Sequence, residues 1–214
     1  SFNQKDGALE VIKRSSKSLV VPDISKLEIL KSDETGNTFI YKERKYGISL
    51  CGEYQIENAL TVIETAENSG HNIPYEAVKA ALANTYIPAR AEIICNAPLA
   101  LLDGAHNPDG AKALADIMKK YSGKITAVIG VMRDKDYKQV LKTTLKHCKN
   151  AVAVTVEDMP RALSACSLAE TAAEFCPCAV AESYDLAIKK ADEISNGEPV
   201  FVFGSLYLAG GIRE

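Results

Sequence analysis

Short apolar runs alternate with helical segments throughout the second half of the chain. Runs of strand length occupy residues 93–95, 99–102, 125–131, 151–156, 179–181 and 199–203. Apolar residues at helical spacing occupy residues 109–121, 137–147, 168–175 and 183–195. Strands that alternate with helices connect through βαβ crossovers, which require a mainly parallel sheet with helices on both faces. Because ligands bind at the carboxyl ends of the strands in such sheets, we predict an α/β fold with its site along that edge.

The first part of the chain has a mixed and less regular pattern. It predicts a helix at residues 7–17, a short strand at 19–22 and a loop at 31–37. A hairpin is predicted from residues 38–41 and 46–50, followed by helices at 56–68 and 74–84. Residues 85–90 then break the helical pattern. We therefore place a boundary there and expect one domain over residues 1–87 and a second over residues 88–214.

Composition restricts the function classes open to this chain. Hydrophobic residues make up 47% of it, enough to bury a core, and the formal net charge of −3 gives no reason to expect binding to nucleic acid or an anionic membrane. No apolar stretch approaches the roughly 20 residues that cross a bilayer, and we expect no signal peptide. The six cysteines form no C-x-x-C unit, so we expect no zinc site and a reducing, cytoplasmic location.

Polar residues directly follow the apolar run at residues 99–102. Asp103 ends this strand, Gly104 supplies a turn, and His106 comes just before Pro108 opens a helix. At the ligand-binding edge of a sheet, Asp103 can accept hydrogen bonds from ribose hydroxyls, and His106 can contact an anion or position an amine. The alternative is structural, with Asp103 as a cap of the turn and His106 as a surface residue.

Three more residues are weaker candidates on chemistry alone. Ser205 follows Gly204 after the apolar run at residues 199–203, where backbone N–H groups and the hydroxyl suit a carboxylate or phosphate. Arg90 lies in the boundary segment and can reach a phosphate across a cleft, although a solvated linker residue is the ordinary interpretation. Asn58 is by itself only a polar residue early in a predicted helix.

Several segments carry a more specific signal when they are taken together. They are G-E-Y-Q-I-E-N-A, P-A-R-A-E, L-D-G-A-H-N-P, G-V-M-R-D-K-D and F-G-S-L-Y, at residues 52–59, 88–92, 102–108, 130–136 and 203–207. In this order they resemble successive motifs of folylpolyglutamate synthase and dihydrofolate synthase, which belong to the Mur ligase superfamily. The D-G-A-H-N-P run is specific to the folate branch, whereas the peptidoglycan ligases keep only D-x-x-H-x-P. The resemblance covers nearly the whole chain.

The resemblance implies a P-loop ATPase domain, a linker and a smaller C-terminal α/β domain in the whole protein. Residues 1–87 are then the tail of the ATPase domain, and residues 88–214 are a Rossmann-like C-terminal domain with a mainly parallel sheet. The chain has no G-x-x-x-x-G-K-[ST] sequence, so we expect it to be inactive alone, with the Mg²⁺ ligands in the absent half. Ala89 stands where the family usually has Gly, which stiffens the hinge slightly.

The resemblance also implies a reaction and a role for each candidate residue. ATP phosphorylates a carboxylate of folate or dihydropteroate, and L-glutamate then attacks the acyl phosphate. Asn58 is expected to contact the adenine of ATP, Asp103 the ribose and Arg90 the phosphates. His106 is expected to be catalytic and, together with Ser205, to bind glutamate.

Two other functions stay open at this point. One is a Mur-type ligase of peptidoglycan precursors, and the other is a stand-alone, non-catalytic module that binds a nucleotide or an amino acid. The D-G-A-H-N-P run argues against the first, and the lack of a P-loop is the best argument for the second. For the ligase we expect a cytoplasmic monomer that uses ATP and Mg²⁺ with small-molecule substrates, and neither nucleic acid nor a membrane. Whether the acceptor is folate, dihydropteroate or both is left open.

Overall fold

The computed structural model describes residues 7–33 and 35–213. Within these ranges the chain divides into two units between Tyr86 and Ile87. Each unit has its own sheet and its own cluster of buried apolar side chains. No helix in the described part of the chain is both long enough and apolar enough to cross a membrane.

The first unit is a three-stranded antiparallel sheet with helices packed against it. Phe39 and Tyr41 of its central strand are fully buried and share one apolar cluster with Ile56 and Leu60. Their burial holds the longest helix of the unit on one face of the sheet. The elements are α1 (Ala8–Ser15), a 3₁₀ turn (Ile24–Lys26), β1 (Leu27–Asp33), β2 (Gly36–Tyr41), β3 (Arg44–Ile48), α2 (Tyr54–Asn68) and α3 (Tyr75–Ala83).

The hairpin predicted in this unit is confirmed, while two neighbouring predictions are wrong. Its turn consists of Lys42 and Glu43, both with positive φ (48° and 64°), a backbone that matches the right-handed twist of the paired strands. The predicted strand at residues 19–22 is wrong, because this segment belongs to neither sheet. The predicted loop at residues 31–37 is also wrong, since β1 runs to Asp33 and β2 begins at Gly36.

The second unit is a six-stranded, mainly parallel sheet flanked by helices, which confirms the predicted fold class. The strand order is β4-β5-β9-β6-β7-β8, and β4 runs antiparallel to β5. The strands are β4 (Glu92–Asn96), β5 (Leu99–Leu102), β6 (Ile125–Ile129), β7 (Cys148–Val154), β8 (Cys178–Ala181) and β9 (Val200–Phe203). The helices are α4 (Pro108–Met118), α5 (Tyr137–Thr144), α6 (Ala165–Ala172), α7 (Tyr184–Ser195) and α8 (Leu206–Arg213).

The centre of this sheet is apolar on both faces. Every residue of β6 and β9 is buried, and Val128 and Val202 belong to one apolar cluster. Near-continuous apolar strands are typical of parallel sheets that helices cover on both sides. Ala187 and Ala191 of α7 join the same cluster, and their small side chains let the helix lie close to the sheet.

The strand order brings three loops together at the carboxyl edge of the sheet. β9 lies between β5 and β6, and all three strands are parallel. Leu102 pairs with Val202, and Ile129 pairs with Phe203. The segments that follow these strands therefore lie side by side, where ligands bind in open α/β sheets.

Candidate active site

Asp103 lies at the end of β5 and is nearly buried, with 4% of its surface exposed. Its backbone N–H donates to Val202 O (2.9 Å), which continues the sheet ladder beyond β5. Its carboxylate accepts two short hydrogen bonds: Ala91 N–H donates to Oδ2 (2.7 Å) and Ala105 N–H donates to Oδ1 (2.7 Å). One side chain thus joins the segment before β4 to the turn after β5.

The pKa of Asp103 is raised to about 6, because burial disfavours the charged carboxylate. The hydrogen bonds from Ala91 and Ala105 and the nearby charges of Arg90 and His106 act in the opposite direction but are outweighed. Both basic residues are close enough to influence this carboxyl group. Arg90, Asp103 and His106 therefore form one electrostatic cluster.

We expect the Asp103 carboxyl group to lower the stability of the second unit as pH rises from about 4 to about 6. Its pKa is 3.8 when unperturbed and about 6 in the folded state, so the folded state holds the proton more tightly between these values. The lost stability reaches about 3 kcal/mol above the higher pKa. Denaturant unfolding of wild type and of Asp103→Asn at a series of pH values measures it.

The difference between the two proteins isolates Asp103 from other titrating groups. His147 contributes a pH dependence of stability with the opposite sign. Burial lowers the pKa of His147, so its contribution to the stability of the folded state is lost as pH falls. The unfolding free energy of Asp103→Asn minus that of wild type should increase as pH rises through this window. A constant difference would contradict the raised pKa of Asp103.

His106 is half-buried in the turn that follows Asp103, and one of its ring nitrogens is held by the backbone. His106 Nδ1 lies 2.7 Å from Gly104 O. Because a carbonyl oxygen only accepts, Nδ1 carries the proton and Nε2 is directed elsewhere as an acceptor in the neutral ring. The next residue, Asn107, caps α4, since its Oδ1 accepts a hydrogen bond from Gly110 N–H (2.8 Å). The turn is thus held on both sides of the imidazole.

Ser205 follows β9 and is buried, with 2% of its surface exposed. Its Oγ accepts a hydrogen bond from Tyr207 N–H (3.1 Å), so the hydroxyl caps the start of α8. Gly204 before it has a φ of 112°, and a Cβ there would lie 2.6 Å from Gly130 O. The turn has no room for a side chain at Gly204, and Ser205 has a structural role whatever ligand it contacts.

The loop after β6 contains contacts that sequence patterns did not reveal. Arg133 Nη2 donates to the carbonyl oxygens of Pro160 and Ala162 (3.1 Å each), and Arg161 Nη1 donates to Asp134 Oδ2 (2.7 Å). These bonds tie the D-K-D segment to the loop after β7. The partners Asp134 and Arg161 are 27 residues apart, so no local motif signals their pairing.

Arg90 and Asn58 are both exposed, but they belong to different units. Arg90 lies just before β4, next to the residue whose N–H binds Asp103. Asn58 lies near the start of α2, where its Nδ2 donates to Gln55 Oε1 (2.9 Å). The structure therefore groups four of the five predicted site residues in the second unit, namely Arg90, Asp103, His106 and Ser205.

Comparison with known protein families identifies the second unit. Residues 91–214 match the model of the dihydrofolate synthetase C-terminal domain. The chain belongs to this family. The matched region contains Asp103, His106 and Ser205, and it begins one residue after Arg90. The resemblance to folylpolyglutamate and dihydrofolate synthases that the sequence motifs indicate is thereby confirmed.

Two relatives show how much of a whole family protein the chain represents. Folylpolyglutamate synthase of Lacticaseibacillus casei is 31% identical over 189 residues, which are 84% of this chain and 43% of that protein. The crystal structure of Mycobacterium tuberculosis folylpolyglutamate synthase complexed with ADP and AMPPCP superposes with a TM-score of 0.83 at 26% identity, over 96% of this chain and 51% of that one. The chain thus spans about half the length of these relatives.

One peptidoglycan ligase also matches part of the chain. UDP-N-acetylmuramoyl-L-alanyl-D-glutamate--2,6-diaminopimelate ligase of Clostridium perfringens is 30% identical over 141 residues, which are 62% of this chain and 29% of that protein. This shorter match shows the relation of the family to the Mur ligases. It also leaves the peptidoglycan alternative less favoured than the folate family.

Proposed function

We propose that this chain is the C-terminal part of an ATP-dependent ligase that adds L-glutamate to folate, with dihydropteroate as a further acceptor. The observation that carries the proposal is the cluster of Arg90, Asp103 and His106 at the carboxyl edge of the sheet, in a chain of the dihydrofolate synthetase family. The reaction passes through an acyl phosphate, and such a reaction needs positioned cations and a proton acceptor.

The nucleotide contacts in this proposal are those that the family resemblance implies. Asn58 contacts the adenine, Asp103 the ribose and Arg90 the phosphates of ATP. Asp103 keeps acceptor capacity for a ribose hydroxyl, because each carboxylate oxygen has more than one lone pair. The exposed guanidinium of Arg90 has the planar fork that binds phosphate oxygens in pairs. The M. tuberculosis relative was solved as a complex with ADP and AMPPCP, which supports a nucleotide as the ligand.

The second substrate, L-glutamate, is assigned to His106 and Ser205. A neutral His106, with Nδ1–H on Gly104 O, can take a proton from the glutamate ammonium through Nε2. The free amine then attacks the acyl phosphate, so that the amide bond forms and phosphate leaves. Ser205 and the backbone at the start of α8 offer hydrogen-bond donors to a glutamate carboxylate.

The transfer also needs a divalent cation to neutralise charge on the moving phosphoryl group. Among residues 7–33 and 35–213, no three His, Cys, Asp or Glu side chains are grouped so that they could hold a metal ion. The family resemblance implies that the Mg²⁺ ligands and the P-loop belong to other parts of the whole protein. The contribution of this chain is to orient ATP and glutamate and to accept a proton at His106.

We further propose that the whole protein works as a cytoplasmic monomer on small-molecule substrates, without nucleic acid or a membrane as a partner. The slightly negative net charge of the chain (−3) supports the absence of a nucleic-acid partner. Size-exclusion chromatography with light scattering tests the monomer.

The purified whole protein should release phosphate from ATP only when both L-glutamate and a folate-type acceptor are present. Mass spectrometry should then show the acceptor with one added glutamate residue. The 214-residue chain alone should release no phosphate, because the groups that neutralise the transferred phosphoryl group are absent and their loss costs several kcal/mol of barrier.

Parallel reactions separate this proposal from its alternatives. Folate, dihydropteroate and a muramoyl-peptide precursor are supplied one at a time to the same preparation. Ligation to the muramoyl peptide in place of the folate acceptors would contradict the proposed substrate. Glutamate-dependent phosphate release by the 214-residue chain would contradict the assignment of the P-loop and the Mg²⁺ ligands to other parts of the whole protein.

A further inference from the structure

The segment that carries Arg90 has an unusual backbone. The residues on both sides of it, Ala89 and Ala91, have φ values of 53° and 48°, in the left-handed region that non-glycine residues rarely adopt. Both alanines are buried, whereas Arg90 between them is exposed. Two alanines so close together keep a left-handed backbone conformation only where the surrounding structure holds them. The contacts that do so therefore decide where the Arg90 guanidinium lies.

Three hydrogen bonds hold this segment, and two of them end on carboxylates. Ala89 N–H donates to Glu92 Oε2 (2.8 Å), and Ala91 N–H donates to Asp103 Oδ2 (2.7 Å). The carbonyl oxygen of Ala89 accepts from Gly104 N–H (2.7 Å). Charged acceptors make stronger hydrogen bonds than neutral ones. The Glu92 carboxylate therefore holds Ala89, and the Asp103 carboxylate holds Ala91.

Glu92 is itself held in place by its strand pairing and by a second contact of its carboxylate. It is the first residue of β4 and pairs with Leu102, the residue before Asp103, across the antiparallel β4–β5 ladder. Its side chain is only 11% exposed, and Oε1 lies 3.5 Å from Arg213 Nη2 at the end of α8. One carboxylate oxygen thus faces Arg213 and the other the N–H of Ala89.

We propose that Glu92 is a positioning residue for the ligase site: it holds Ala89 in its left-handed conformation and so directs Arg90 toward the ATP phosphates. The part of this inference that concerns ATP rests on the proposed function above. The part that concerns the segment rests only on the contacts of Glu92. A solvated arginine in an unstrained linker would need no such acid.

Amide hydrogen exchange of the 214-residue chain tests the positioning directly. Glu92→Ala removes the acceptor, so the amide of Ala89 should exchange at least about tenfold faster than in wild type, and that of Ala91 should also lose protection. Glu92→Gln keeps one carbonyl oxygen and should restore most of the protection. Glu198→Ala is the matched control, because Glu198 is another ion-paired glutamate of the second unit, 3.9 Å from Lys124. It should leave both amides unchanged.

Steady-state kinetics of the whole protein test the connection to Arg90. Glu92→Ala and Arg90→Ala should each raise the KM for ATP, by about tenfold for Arg90→Ala, with a smaller change in the KM for glutamate. The double variant should be no worse than Arg90→Ala, because the proposed effect of Glu92 on ATP binding passes mainly through the position of Arg90. Glu92→Gln should recover most of the lost affinity, which a general loss of folding would not allow.

Each result separates this inference from the proposed function. Unchanged exchange of Ala89 and Ala91 in Glu92→Ala, or additive effects in the double variant, would overturn the positioning role. If the wild-type whole protein ligates no glutamate, the proposed function fails, and amide exchange alone decides whether Glu92 holds the segment. If the Glu92→Ala chain is too unstable to study, Glu92→Gln is compared with wild type instead. A small loss of protection at the amide of Ala89 supports the positioning role, because a neutral acceptor makes a weaker hydrogen bond than a carboxylate. Full wild-type protection at that amide would overturn the positioning role.

Discussion

Replacing Gly204 by alanine should destabilise the second unit by about 3–5 kcal/mol. Gly204 has a φ of 112°, which a side chain strains, and the added Cβ would lie 2.6 Å from Gly130 O and 3.0 Å from Val131 Cγ1. The first of these neighbours is backbone of the adjacent strand end, so it cannot move aside cheaply. The expected loss is a large share of the stability of an ordinary domain. Denaturant unfolding followed by circular dichroism measures it.

Two other glycines separate backbone strain from lack of space. Gly197→Ala has a positive φ of 81° but meets nothing within 4 Å, so it should cost only about 1 kcal/mol. Gly210→Ala lies inside α8 with open space around it and should be neutral or stabilising by up to about 1 kcal/mol. If Gly204→Ala were no more destabilising than Gly197→Ala, the close approach of the two strand ends would be wrong.

His106→Ala in the whole protein should lower kcat for glutamate ligation by about two to four orders of magnitude. The proposed acceptor of the ammonium proton is Nε2 of His106, which lies in a turn held by hydrogen bonds of Gly104 and Asn107. Alanine leaves no base in its place. Asp103→Ala should fail in another way: it should mainly raise the KM for ATP, because the proposed ribose contact would exist before and during phosphoryl transfer. Rates with ATP and glutamate varied separately distinguish the two.

His71→Ala is the matched control for this experiment, because His71 is an exposed histidine of the first unit, in the loop between α2 and α3. Its rates should equal those of wild type. Wild-type rates in His106→Ala as well would show that the most specific motif of the chain is structural. Circular dichroism and thermal unfolding of each variant check that the lost rate does not come from lost folding.

Strand formation in the first unit shows where sequence patterns reach their limit. Residues 19–21 are apolar and two of them are β-branched, yet they form no strand and lie in neither sheet. β1 is mostly exposed and partly charged, yet it is a strand because it pairs with β2 along its length. A strand depends on its partner as much as on its own residues.

Helix α8 has only a weak signal in the sequence for a related reason. It contains Gly210 and Gly211, which are poor helix formers, so its sequence has little helical signal. In the structure, Leu208 and Ala209 are buried and Ser205 caps the first turn. Tertiary packing supplies the stability that local propensity does not.

The sequence by itself determined the α/β class of the second unit and the order of its motifs, because strands buried on both faces must be apolar and the polar residues after them mark the carboxyl edge. It also indicated Asp103 and His106 as residues of that edge. Only the tertiary structure decided that Asp103 is buried between two backbone N–H groups, that Ser205 is a helix cap and that Glu92 holds Ala89. These contacts depend on which strands become neighbours and how closely their ends approach, and no local pattern encodes those distances.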